Sequence, residues 1–190
     1  MLETAEAGRL SKSAFARESP GLREALLNAQ FALAQRSRAA LLVLFAGIEG
    51  GGRSETSNTL NAWLDPRHMR TIAFPRPPAD ERAHPPAWRY WRALPARGTI
   101  GIFTNAWYSD AFRLQARGHA ARFSQALADI RDHEAMLACD NVLLLKVWIH
   151  LSEAAAEERI AALRAQRWRL DPLDKTRKHM ADYFRRPEIG

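Results

Sequence analysis

The sequence contains little that would place the chain in a membrane or an oxidising compartment. One cysteine, Cys139, occurs among 190 residues, so no disulfide framework can form within the chain. The longest apolar runs, near residues 39–47 and 142–149, are far shorter than the roughly 20 residues of a membrane-spanning helix. The N-terminus also lacks the apolar run of a secretory signal. We therefore expect a cytoplasmic protein without a membrane partner, in which Cys139 is a buried structural thiol.

Acidic side chains are outnumbered by basic ones. The chain has 21 Asp and Glu residues against 28 Lys and Arg residues, which gives a formal net charge of +7. Such an excess attracts polyanions, including nucleic acid, nucleotides, inorganic polyphosphate and anionic lipid, and charge alone does not choose among them. The length and the 47% hydrophobic content are typical of one domain. We expect a polar leader over residues 1–19 and a single domain over residues 20–190.

Apolar segments of two kinds alternate along the chain. "AALLVLFAG" has the continuous pattern of a buried strand, and "RTIAF", "TIGIFT" and "NVLLLKVWIHL" are further strand candidates. Helical spacing predicts helices over about residues 20–35, 56–63, 109–138 and 152–166, and a short basic helix near the C-terminus. This alternation predicts an α/β fold in three αβα layers, with a mostly parallel central sheet.

A glycine-rich turn follows the first predicted strand. Residues 47–54, "GIEGGGRS", fit the phosphate-loop pattern G-x-x-x-x-G-K-[ST] except that Arg53 replaces the lysine. Glycines let backbone N–H groups converge on an anion, and the next helix points its positive end at the same place. The alternative is a turn that holds no ligand. The candidate phosphate-binding residues are Gly47, Gly50, Gly51, Gly52, Arg53, Ser54 and Thr56, and Glu49, Ser54 or Thr56 are candidate Mg²⁺ ligands.

The third predicted strand ends where P-loop enzymes place an acidic residue for the metal. Here the strand ends in Thr104 and Asn105, so an Mg²⁺ ion at this position would be held weakly or not at all. Asp110 is the nearest carboxylate and falls in the following helix. Lys146 lies in a strongly apolar strand, where a charged side chain needs a reason. A ligand-facing Lys146 and a structural one are equally good interpretations.

Several basic residues have two open interpretations. Arg113, Arg117 and Arg122 fit either a polyanion channel or a solvated basic face. Arg89 stands among Trp88, Tyr90 and Trp91, a mixture that also occurs where single-stranded nucleic acid stacks on aromatic rings. No recognised nucleic-acid module accompanies them, so core packing is the favoured interpretation and nucleic acid is not an expected partner.

Four segments in order resemble the second polyphosphate kinase family, and within it the N-terminal half of the two-domain polyphosphate:AMP phosphotransferases. They are "LFAGIEGGGRSETSNTLNAWLDPRHMRTIAF", "PADERAHPPAWRYWRALPARGTIGIFTNAWYSD", "LLLKVWIHLS" and "WRLDPLDKTRKHMADY". The resemblance implies a P-loop-kinase-like fold and Mg²⁺-dependent phosphoryl transfer between inorganic polyphosphate and a nucleotide, AMP to ADP. It also implies a homo-oligomer or packing against a second similar domain. It assigns polyphosphate or nucleotide contacts to Arg89, Lys146, Asp174 and Arg177, while Arg113 and Arg117 are candidates for such contacts from the charge pattern alone.

The resemblance also shows departures at the catalytic positions. Active members carry aspartate where Glu49 stands, lysine where Arg53 stands, and an acid-arginine pair where Thr104 and Asn105 stand. Phosphoryl transfer depends on charge placed at the transition state, and loss of such groups commonly costs orders of magnitude in rate. We therefore expect impaired catalysis, with a non-catalytic binding or dimerisation module as the alternative. The chain also stops before the last strand and helix expected of the fold.

Overall fold

The computed structural model describes residues 10–36, 38–48 and 50–165, and the chain divides into two compact units. Within the described range, the first contains residues 47–53 and 148–165, and we call it the loop unit. The second contains residues 10–46 and 54–147, and we call it the sheet unit. The two candidate parts of the site, the glycine turn and the end of the third strand, fall in different units.

In the part of the chain that the structure describes, four strands form one sheet in the order β2-β3-β1-β4. The strands are β1 (Ala40–Gly47), β2 (Met69–Ala73), β3 (Ile100–Thr104) and β4 (Val142–Ile149). All four run parallel, and helices flank the sheet. In the register, Phe103 of β3 stands beside Leu44 of β1 and Ile72 of β2. The predicted α/β fold with a parallel sheet is confirmed.

Within the described ranges, seven α-helices precede, connect or follow the strands. They are α1 (Lys12–Arg36), α2 (Arg53–Trp63), α3 (Ala79–Arg82), α4 (Trp88–Trp91), α5 (Trp107–Ala116), α6 (Ala120–Cys139) and α7 (Glu153–Ala165). The proline-rich segment between β2 and β3 holds only the four-residue helices α3 and α4, as its composition predicts. The predicted basic helix near the C-terminus lies outside the described residues. No helix in the described part of the chain is long and apolar enough to cross a membrane.

Helix α1 begins at Lys12, so the predicted start at Pro20 is wrong. The oxygen Oγ of Ser11 accepts a hydrogen bond from Ala14 N–H at 3.1 Å, which caps the helix eight residues earlier than expected. Pro20 lies inside α1 and removes one helical N–H donor. The carbonyl that loses this donor belongs to Ala16, which is exposed, so water can replace the bond.

The helix predicted over residues 109–138 is two helices. Helix α5 ends at Ala116 and α6 begins at Ala120. Gly118 between them has φ +77°, a left-handed conformation that favours glycine and commonly ends a helix. The Gly signal at position 118 therefore outweighs the apolar stripe that continues across it.

Cys139 is exposed, so the predicted buried thiol is wrong. It is the last residue of α6, whose buried residues are Ile130, His133, Glu134 and Leu137. At 3.6 residues per turn, Cys139 lies about half a turn away from Leu137. The residue faces away from the core because of this periodicity.

The main hydrophobic core lies in the sheet unit. Leu42 and Leu44 of β1 pack with Phe103 of β3 and with Leu137 of α6, and each is at most 2% exposed. Trp107 at the start of α5 belongs to the same cluster. This packing fixes the end of β3 and the start of α5, where the sequence places Thr104 and Asn105.

Candidate functional site

The turn after β1 has a backbone that only glycine adopts readily. Gly47, Gly50 and Gly52 have φ values of +110°, +79° and +109°, in the region that L side chains rarely occupy. A Cβ atom at Gly47 would also lie 2.0 Å from the carbonyl oxygen of Ile149. Glycine at position 47 is therefore required by both conformation and space.

The glycine turn is braced by other parts of the loop unit. Ile48 N–H donates to the carbonyl oxygen of Ile149 at 3.0 Å, and Gly51 N–H donates to that of Ile48 at 3.3 Å. Ile48 is 1% exposed and packs against Ala156 and Ile160 of α7. The turn is thus tied to the end of β4 and to α7, which gives it a defined shape.

Helix α2 begins directly at Arg53 after the glycine turn. Ser54 and Thr56, the predicted hydroxyl ligands, are exposed in its first turn, and Arg53 is half-buried. Glu55 lies in the same turn, where a carboxylate interacts favourably with the positive end of the helix. The strand, glycine turn and helix occur as predicted, whereas Glu49 lies outside the described residues.

The end of β3 carries neutral side chains. Thr104 is its last residue, and its carbonyl oxygen accepts a hydrogen bond from Phe74 N–H at 3.0 Å. Asn105 follows with φ +55°, a left-handed conformation that asparagine tolerates better than most residues. Neither residue offers a carboxylate.

Asp110 lies in α5 and is engaged by its neighbours. Its Oδ2 accepts from the hydroxyl of Tyr90 at 2.7 Å, and Arg113 pairs with its Oδ1. Burial, together with the negative charge of Asp110, raises the pKa of the Tyr90 hydroxyl. Arg117 is exposed at the C-terminal end of α5. Asp110 and Arg113 therefore form an ion pair with each other in this structure.

No metal cluster is found within the described ranges: they contain no group of three or more His, Cys, Asp or Glu side chains that could hold a metal ion. Magnesium is usually held by one or two carboxylates together with the phosphates of a substrate. The end of β3 provides only Thr104 and Asn105, and Asp110 is occupied. The described residues at this position do not fit a protein-held Mg²⁺ ion.

Arg89 is buried in the sheet unit. It is 7% exposed, and its Nε lies 3.1 Å from Oε2 of Glu81 while an Nη donates to the carbonyl oxygen of Pro75 at 2.8 Å. Its guanidinium also lies against the rings of Phe74 and Tyr90, 5.2 and 5.7 Å from their centroids. The core position favoured by the sequence is observed for Arg89 and Tyr90, whereas Trp88 is half-buried and Trp91 is exposed.

Lys146 belongs to a side-chain cluster that the sequence analysis missed. Its Nζ lies 2.8 Å from Oε2 of Glu134 and 3.3 Å from the hydroxyl of Tyr108. The other oxygen of Glu134 accepts from Tyr108 at 2.9 Å and from Nε1 of Trp107 at 3.2 Å. The Glu134 carboxylate raises the pKa of Lys146. We call these four residues the Glu134 cluster.

The position of Glu134 was readable from its helix. It lies three residues before Leu137 and four after Ile130, both buried, so it falls within the apolar stripe of α6. A carboxylate in such a stripe needs a cationic or hydrogen-bonding partner. The pattern could have identified Glu134 as a buried anion but not its partners.

Asp174 and Arg177, the last two predicted site residues, lie outside the described residues. The structure therefore places the glycine turn in the loop unit, and Thr104, Arg89, Arg113 and Lys146 in the sheet unit.

Comparison with known proteins gives consistent results. The family model of polyphosphate kinase 2 matches residues 9–188. A polyphosphate:AMP phosphotransferase of Pseudomonas aeruginosa is 40% identical over 97% of this chain, and a GDP-polyphosphate phosphotransferase of Mycobacterium tuberculosis is 33% identical over 74%. The chain spans 38% of the length of the first relative and 50% of the second.

Solved structures support the same relationship. A polyphosphate kinase 2 from Pseudomonas aeruginosa superposes with a TM-score of 0.79 at 38% identity, covering 95% of this chain and 38% of that one. A polyphosphate kinase 2 from Arthrobacter aurescens has a TM-score of 0.66 at 23% identity, covering 85% of this chain and 65% of that one. The second likeness concerns the fold alone.

Proposed function

Because this chain belongs to the polyphosphate kinase 2 family, we propose that it binds inorganic polyphosphate and an adenine nucleotide as a phosphotransferase domain with weak catalysis of its own. Family relatives transfer phosphate between polyphosphate and nucleotides. The observation that carries the proposal is the glycine turn, which has positive φ values at Gly47, Gly50 and Gly52 and leads into α2. Such a turn presents backbone N–H groups to a phosphate whatever side chains surround it.

The proposed weakness of catalysis follows from the side chains Arg53, after the glycine turn, and Thr104 and Asn105, at the end of β3. Arg53 replaces a compact ammonium by a broad planar guanidinium, which is not equivalent at a tightly defined phosphate contact. Thr104 and Asn105 supply no charge at the end of β3. Charge stabilisation in the transition state is commonly the largest single contribution to such a reaction, so binding can persist where turnover is slow.

A second candidate is a non-catalytic binding module beside an active domain. It is favoured by the 38% share of the polyphosphate:AMP phosphotransferase that this chain covers. In this case polyphosphate or nucleotide affinity remains, and turnover requires the rest of a longer protein or a partner. A cytoplasmic location suits both candidates, because the proposed ligands are intracellular polyanions.

The test measures affinity and turnover on the same protein. Calorimetry is expected to show tripolyphosphate binding to the 190-residue chain, weakened at least about tenfold by Arg53→Met because a charge-assisted contact is lost. Arg97→Met removes the same charge from an exposed position and serves as the control. ADP formation from AMP, polyphosphate and Mg²⁺ is expected to be slow but above background; zero turnover supports the second candidate. Absence of both polyphosphate and AMP binding would overturn the proposal.

A further inference from the structure

An arginine distant in sequence lies against the glycine turn. Arg159 of α7 donates its Nε–H to the carbonyl oxygen of Gly50 at 2.9 Å, across 109 positions of the chain. A terminal nitrogen of the same guanidinium lies 3.4 Å from the position that a Cβ atom would take at Gly52. Both contacts are within the loop unit.

The contact with Gly50 acts on the direction of the backbone. In a phosphate loop the N–H groups must point toward the anion, so carbonyl oxygens must point elsewhere and find donors there. Arg159 provides such a donor for Gly50. Since Gly50 has φ +79° and glycine is flexible, an external hydrogen bond is an effective way to hold this peptide in place.

The position of Arg159 is itself well defined. Its helix packs on the turn through Ala156 and Ile160, which are 2% and 5% exposed and contact Ile48. Arg159 therefore approaches the turn from a helix that is packed on it, as a positioning residue requires. Gly52 is buried, and a Cβ atom there would lie in van der Waals contact with the guanidinium.

The charge of Arg159 adds to this effect. Its guanidinium is a cation. It lies beside the turn in which Arg53 replaces the lysine of the phosphate-loop pattern. The turn thus has cationic groups from two sources, its own sequence and α7.

We infer that Arg159 is a positioning residue of the glycine turn: it orients the Gly50 peptide and places a second positive charge beside the loop, so that polyphosphate affinity depends on α7. This inference rests on the proposed function for its ligand. Its prediction about the backbone of the turn does not require any ligand.

Three variants test the inference by calorimetry with tripolyphosphate. Arg159→Met is expected to weaken binding about tenfold or more, because both the hydrogen bond and the charge are lost. Arg159→Lys keeps the charge without the planar fork and is expected to recover part of the affinity. Arg131→Met, which removes an exposed arginine of α6, is expected to change affinity by less than about twofold. Millimolar guanidinium is expected to restore part of the affinity of Arg159→Met, and a purely structural role predicts no such recovery.

Hydrogen exchange on the unliganded chain gives the second measurement. Arg159→Met is expected to speed exchange of the N–H groups of Gly50, Gly51 and Gly52 and to leave the amides of β3 unchanged. Local acceleration supports the inference even if affinity is lost through partial unfolding. Unchanged loop exchange together with wild-type affinity for tripolyphosphate overturns it.

The two proposals fail in different ways. If the wild-type chain binds neither polyphosphate nor AMP, the proposed function fails, and the exchange experiment still decides the role of Arg159. If the wild-type chain binds and Arg159→Met binds equally well with unchanged exchange in the turn, only the Arg159 inference fails.

Discussion

The turn after β1 and the turn after β3 both follow a parallel strand, yet the first is defined by its backbone conformation and the second by its side chains. After β1, the positive φ values of Gly47, Gly50 and Gly52 set the course of the backbone that leads to Arg53. After β3, the expected contribution to phosphoryl transfer comes from charged side chains. Thr104 and Asn105, which stand there, are uncharged. On the proposed function, phosphate binding through the main chain is expected to be less sensitive to side-chain substitution than a catalytic step that depends on charged side chains. Variants that disturb one turn or restore the other test this difference.

The largest effect is expected from Gly47→Ala. The new Cβ atom would lie 2.0 Å from the carbonyl oxygen of Ile149 at φ +110°, so either the turn or the end of β4 must move. We expect a loss of about 3 kcal/mol or more in the free energy of unfolding, measured by urea denaturation.

Gly21→Ala is the matched control for that change. A Cβ atom at Gly21 meets nothing within 4 Å, and the residue lies inside α1. Alanine there is expected to stabilise the chain by about 0.5–1 kcal/mol. Equal stability of Gly47→Ala and the wild type would show that the turn is not held as described.

Restoring charge is expected to have the next largest effect. The combined substitution Glu49→Asp, Arg53→Lys, Thr104→Asp and Asn105→Arg should raise ADP formation from AMP and polyphosphate about a hundredfold. The gain is limited by Asn105→Arg, because arginine at φ +55° is more strained than asparagine.

A control variant carries Thr104→Asn in place of Thr104→Asp. Asparagine has nearly the volume of aspartate but no charge. The two rates are expected to differ by at least about tenfold. Equal rates would show that the missing charge at position 104 does not limit turnover. The two turns would then not differ in the way described.

The Glu134 cluster offers a smaller test of whether Lys146 faces a ligand. Glu134→Gln removes the charge partner of Lys146, whose side chain is 52% exposed while that of Glu134 is 10% exposed. We expect a loss of about 1–2 kcal/mol in unfolding free energy and an unchanged affinity for tripolyphosphate. Asp132→Asn, at an exposed neighbouring position, is expected to stay within about 0.5 kcal/mol of the wild type. A large affinity change would support the ligand-facing interpretation of Lys146.

The smallest effect concerns the buried His133. Its ring packs edge-on against Trp91 and Trp107, and neither ring nitrogen has a hydrogen-bond partner among the residues that the structure describes. Burial lowers the pKa of His133, and the charge of Glu134 opposes this only in part.

The pH dependence follows from that shift. Below about pH 6.5 the unfolded chain binds a proton that the folded chain resists, so the contribution of His133 to stability is present above this pH and is lost as the pH falls through the lowered pKa. Replacing the imidazole by a ring that cannot titrate, as in His133→Phe, should reduce the decline in unfolding free energy between pH 7.5 and pH 5. An identical decline in both proteins would contradict this assignment.

The sequence predicted the parts of this fold that depend on local pattern. Continuous apolar runs placed the four strands, and clustered glycines with a following helical stripe located the turn at residues 47–54. The sequence did not predict the contact between Arg159 and Gly50. Periodicity shows which face of a helix is apolar, but it does not show which element that face packs on, and here the two residues are 109 positions apart. Ser19 followed by Pro20 is a typical helix start, which placed the predicted start of α1 at residue 20, whereas Ser11 makes the cap that is observed.

The exposed Cys139 has a practical consequence. It is the one cysteine of the chain and lies at the end of α6, accessible to solvent. A maleimide dye therefore attaches at a single known position in the wild-type protein, with no engineered thiol and none to remove. Fluorescence anisotropy of that dye can report how the chain tumbles alone and in the presence of long polyanions. The residue that was incorrectly predicted to be buried is thus a labelling site for solution experiments.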